Sequence, residues 1–95
     1  MVTHIVLFKL KDGSKESVER TAQVLRDMEG KIDELKAIEV GLDVIHSARS
    51  YDIALITRFD SLEALEAYQV HPVHKKVIEH INEVRESVIA VDFES

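Results

Sequence analysis

Apolar positions along this chain fall into two rhythms, one of period two and one of period three to four. Residues 2–10, VTHIVLFKL, are rich in β-branched and apolar side chains and predict a strand. Its two faces are Val2, His4, Val6, Phe8, Leu10 and Thr3, Ile5, Leu7, Lys9. Both are mostly apolar, so the strand should be central and covered on both sides. Lys11-Asp12-Gly13-Ser14 makes the turn, with Ser14 placed to cap a helix. Val18, Ala22, Leu25 and Met28 form one stripe and predict that helix over residues 15–29, with Gly30 suited to the position just past its end. Ile32 and Leu35 continue the stripe into a further turn.

Residues 37–45 predict a second strand with Ile38, Val40, Leu42 and Val44 on one face. Glu39, Gly41 and Asp43 on the other mark it as an edge. Residues 46–50 are polar and read as a loop, and YDIALITRF at 51–59 as a third strand. Asp60 and Glu63 have the spacing of a capping box for a helix carrying Leu62, Leu65 and Tyr68. That helix should break before His71-Pro72, because the residue preceding a proline is pushed from helical angles. Pro72 can open a new helix, with Val73, Val77, Ile81 and Val84 at core spacing. SVIAVDF at 87–93 predicts a last strand.

The order β-α-β-β-α-α-β predicts an α+β, ferredoxin-like domain spanning residues 1–95: a four-stranded antiparallel sheet with helices on one face. The helices can cover one face only. Val2, Val6 and Phe8 are expected on the other, where an uncovered apolar patch would call for a second copy packed sheet against sheet. The expectation is therefore a homodimer.

Composition narrows the function. The chain has 95 residues, no cysteine and a net charge of −6. Lacking cysteine, it has no disulfide, thiolate metal site or cysteine nucleophile. No basic cluster exceeds Lys75–Lys76, so no nucleic-acid partner is expected. No apolar run approaches the ~20 residues of a membrane span, and residues 1–10 lack the pattern of a signal peptide. A cytoplasmic protein without membrane association is the expectation. No nucleophile elbow and no phosphate-cradling glycine loop is present.

Certain segments resemble the stress-responsive A/B barrel domain proteins, also called dimeric α/β barrel proteins. They are Thr3–Lys9, Gly41-Leu42-Asp43, Tyr51-Asp52, Phe59-Asp60-Ser61 and, most specifically, the Tyr-x-x-His-Pro-x-His run at 68–74. The resemblance covers essentially the whole chain and implies a homodimer with a shared barrel. Many members have no assigned reaction. Plant members include stress-induced proteins and a polyketide cyclase that closes a ring by an aldol reaction without metal or cofactor. The cyclase's cleft-lining strand-one histidine, motif tyrosine and last motif histidine match His4, Tyr68 and His74. One position departs: the cyclase has a further histidine on its third strand, where this chain has Ile53.

His4 is either a buried, hydrogen-bonded core residue or a cleft-facing acid/base, since histidine changes charge near neutral pH. Tyr68 and His74 either shape the helix break or act together, His74 as general base and Tyr68 holding a carbonyl oxygen. A histidine in a helix's first turn meets the positive end of its dipole, which favours the neutral form. Val6, Phe8 and His71 are the expected ligand contacts around them. His71 and His74 stand three apart, but with Pro72 between them no metal set is completed, and neither metal nor cofactor is expected. His46 and His80 read as loop and solvent-facing residues. Two functions remain open: a cofactor-free lyase, cyclase or isomerase acting on a small carbonyl compound, or a non-enzymatic stress-response module binding a small apolar ligand. Cofactor-free monooxygenase chemistry rests on fold analogy alone.

Overall fold

The nine residues Val2–Leu10 form strand β1, and the sheet is built around it. The computed structural model describes residues 1–95. Helix α1 (Lys15–Arg26) follows, then β2 (Ala37–Leu42), β3 (Ile53–Phe59), α2 (Leu62–Gln69), α3 (Pro72–Val84) and β4 (Arg85–Glu94). The strands form one antiparallel sheet in the order β2-β3-β1-β4. This is the expected ferredoxin-like arrangement, with β1 central and β2 an edge.

Caps set the helix boundaries. Ser14 Oγ accepts from the Ser17 N–H at 3.3 Å and starts α1 as expected. The helix ends at Arg26, three residues short of the expectation, with Asp27 as its cap. Gly30 is thus not the residue just past the helix. It takes φ 80° in the turn that follows, a conformation costly for residues with a Cβ, and the turn buries Ile32. Ser61, not Asp60, caps α2: its Oγ accepts from the Ala64 N–H at 3.1 Å. The strand β2 stops at Leu42, because the Asp43 carboxylate accepts from the His46 N–H at 2.7 Å and turns the chain. Asp52 Oδ2 accepts from the Leu10 N–H at 2.8 Å, beside the irregularity at Lys9/Leu10, and β3 begins at Ile53, two residues after the expected Tyr51. The strand β4 starts at Arg85, two residues before the expected Ser87.

The face expected to pair with a second copy was misplaced. Val2, Val6 and Phe8 are buried within the chain, packed with Leu25, Met28, Leu55 and Tyr68 beneath the helices. The open face carries the odd-numbered residues of β1. Ile5 lies between Ile56 and Val91, and Leu7 between Ala54 and Ile89. Ile89, Val91 and Phe93 are 50, 55 and 44 % exposed. Alternation identifies two apolar faces on β1 but does not say which one the helices take. An uncovered apolar face remains, on the opposite side from the one expected.

Candidate functional site

The site exists because the helices do not reach the β4 edge. Helix α1 lies over β2 and β3, and α2 over β3, whereas no helix packs closely on β4. Between α3 and the helix-side residues Val88 and Ala90 of β4, a cleft of about 380 Å³ stays open. That volume falls within the roughly 300–1,000 Å³ of small-molecule sites. Its walls are apolar, among them Val6, Phe8, Met28 and Ile81, and His4, Tyr68 and His74 all line it. Phe8 forms one wall, and Phe59 lies fully buried behind Tyr68.

The helix break fixes the chemistry of His74. In an unbroken helix the Gln69 carbonyl would accept from the Val73 N–H. Here that N–H donates to His71 Nδ1 at 3.1 Å, because His71 caps α3 and Pro72 opens it. The Gln69 carbonyl accepts from His74 Nδ1 at 3.1 Å instead. A carbonyl only accepts, so Nδ1 carries the ring proton and Nε2 keeps its lone pair. Burial lowers the His74 pKa below its ordinary 6.5, the Gln69 hydrogen bond opposes this, and the fields of His4 and His71 add to the lowering. The direction matches expectation. The leading cause is burial rather than a helix dipole. The His74 ring is therefore neutral at pH 7.

Tyr68 is fully buried, with its ring 4.2 Å from His74, 4.9 Å from Phe59 and 6.4 Å from His4, centroid to centroid. Its hydroxyl donates to Met28 Sδ at 3.8 Å. A thioether is a weak acceptor, so a strong donor stands in the cleft wall without a strong partner. Burial raises the Tyr68 pKa well above the phenol value, which keeps the proton in place.

His4 is held from behind. Asp92 sits directly across from it on β4, and its carboxylate accepts from His4 Nδ1. An ionised carboxylate only accepts, so Nδ1 is protonated and Nε2 is the atom left for a ligand. Sequence reasoning missed Asp92. Its signal was there: it is the one charged residue in SVIAVDF, in step with Val88 and Ala90.

Of the six residues expected at the site, five line this cleft. His71 does not, because its ring nitrogen is committed to capping α3. His80 is not a plain solvent-facing residue: it is half-buried and its Nε2 lies buried without a partner in the chain. No three metal-ligating side chains are grouped to hold an ion.

An antiparallel four-stranded sheet with a polar-ended cleft under its helices defines an α+β, ferredoxin-like protein. The chain belongs to the stress responsive A/B barrel domain family, matching it over residues 2–95. It is 32 % identical to an uncharacterised protein of Streptomyces coelicolor, with 99 % of each chain covered. It is also 32 % identical to a stress-response A/B barrel domain-containing protein of Arabidopsis thaliana, covering 98 % of this chain and 46 % of that protein. A dimeric, ferredoxin-like protein of unknown function from Bacteroides fragilis superposes with a TM-score of 0.82 at 33 % identity, covering 99 % of this chain and 95 % of that one. The hydroxynitrile lyase of Passiflora edulis shares the fold, with a TM-score of 0.83 at 16 % identity over 97 % of this chain and 90 % of that one.

Proposed function

We propose that this protein is a cofactor-free, homodimeric catalyst of proton transfer at carbon next to a carbonyl, as a lyase, cyclase or isomerase requires. The observation that carries this reading is the hydrogen bond from His74 Nδ1 to the Gln69 carbonyl, which leaves an unprotonated Nε2 on a histidine lining an apolar cleft. A base must be neutral to accept a proton, and burial keeps His74 so. The substrate's C–H proton passes to His74 Nε2. The electron pair moves onto the carbonyl oxygen, which the Tyr68 hydroxyl stabilises by giving up its weak contact with Met28 for a strong one. His4, oriented by Asp92, holds the same oxygen or a neighbouring group. Two such chains pair through the open face around Ile5, Leu7 and Val91, where Ile89, Val91 and Phe93 stay exposed side by side on one strand. A dimeric neighbour of the same fold supports this.

The test is proton–deuterium exchange at the α-carbons of 2-octanone in D₂O, followed by NMR. The protein should accelerate exchange, and His74→Ala should reduce that acceleration by about 100-fold or more, the usual worth of a general base. Tyr68→Phe should slow it while leaving the fold intact. Binding of the ketone without accelerated exchange would assign the cleft to a binding module.

A further inference from the structure

The cleft has a second polar end that the proton-transfer reading does not use. Arg85 and Asn82 also line it. Arg85 pairs across β4 and β1 with Leu10, whereas Asp92 pairs with His4. These pairs are six positions apart on β1, about 20 Å at the rise of a strand. Between them the wall is Val6, Phe8, Val88 and Ala90, with nothing charged. The cleft thus runs from a carboxylate-backed histidine to a guanidinium along an apolar floor.

Arg85 is free to engage a ligand. Its Nε donates to Asn82 Oδ1 at 3.2 Å, which orients the planar group. No carboxylate of the chain lies within ion-pair distance of it. Lys11 joins the same corner through a backbone bond to Val84 but turns its ammonium to the Glu83 carbonyl. Arg85 is the one lysine or arginine that lines the cleft, and its fork fits a carboxylate's two oxygens. At the other end no lysine or arginine lines the cleft. The cation at one end alone therefore sets which way an anionic ligand lies.

We propose that the ligand of this cleft is a carboxylic acid with an apolar body and a carbonyl near its far end. Its carboxylate sits on Arg85 at the mouth and its carbonyl lies among Tyr68, His74 and His4. This rests on the reading of the cleft as the reaction site and adds the substrate class to it.

The experiment is an NMR titration of the isotope-labelled full chain with 9-oxodecanoate and with its methyl ester, at low and high salt, in wild type and Arg85→Gln. In wild type the acid should bind about tenfold more tightly than the ester, the scale of a charge-assisted pair. The preference should shrink at high salt, because Arg85 is exposed. Arg85→Gln should abolish it. Equal affinity of acid and ester in wild type, or a preference that survives Arg85→Gln, overturns the assignment of Arg85 while the cleft remains a ligand site. If neither probe shifts the His74 and Tyr68 signals, both the substrate class and the reading beneath it fall.

Discussion

The two edge strands occupy equivalent places in the sheet and have opposite surroundings. On β2, Ile38, Val40 and Leu42 are half-buried beneath α1, and the exposed Glu39 faces the other way. On β4, Ala90 and Asp92 are exposed beside the cleft, and Ile89, Val91 and Phe93 are exposed on the open face. One edge is finished by the chain's own helix and is polar where bare. The other is bare on both faces, apolar on the open side and mixed along the cleft, where Arg85 and Asp92 flank Val88 and Ala90. An edge left bare and apolar invites pairing unless something covers it. The contrast singles out β4 as the edge that the chain's own helices leave uncovered on both faces.

Substitutions can break that contrast in order of expected effect. Ile53, beside Leu42 and nearly inaccessible on the covered side, fills space that nothing else can fill. Ile53→Ala should cost about 2–5 kcal/mol in urea unfolding, whereas Ala90→Leu on the bare side should change stability by no more than about 0.5 kcal/mol and yet obstruct the cleft. Equal costs would show the two sides to be packed alike. Val91→Asp should weaken self-association by about 100-fold or more in sedimentation, because a charge would be stripped of water at the centre of an apolar contact. A stable monomer in the unsubstituted chain would remove the reason for that effect.

The smallest effect is on pH. The folded chain holds the His74 pKa below 6.5, the value it regains on unfolding. As the pH falls past 6.5 the unfolded chain takes up this proton first, so stability declines toward and through the lowered folded value. Above 6.5 both states are neutral and nothing is lost. Melting temperatures across this range should show the decline, and His74→Gln should flatten it.

Most of this architecture was legible because local signals agreed. Pro72 announced the helix break, Ser14 the start of α1, and the charged face of β2 its place at an edge. Two things were not legible, for one reason. The helix-side face of β1 and the Asp92 partner of His4 both depend on how distant segments register. With Val, Phe, Ile and Leu on both faces of β1, no polar residue there decides which side the helices cover. Asp92 becomes meaningful only when β4 lies beside β1 with His4 opposite. His71 shows the converse error: it stands in a motif with His74, but the backbone geometry at the proline gives it a capping role.

The register of β1 with β4 also has a consequence for the time course of folding. Val2 is matched with Glu94 and His4 with Asp92, so the central strand must wait for almost the whole chain before one of its edges is filled. Closing so long a loop loses entropy that only the finished sheet recovers, which places this pairing late and makes it slow relative to helix formation. Asp92 reaches His4 in the same event that completes the sheet. A chain whose last strand has not yet paired therefore lacks an oriented His4.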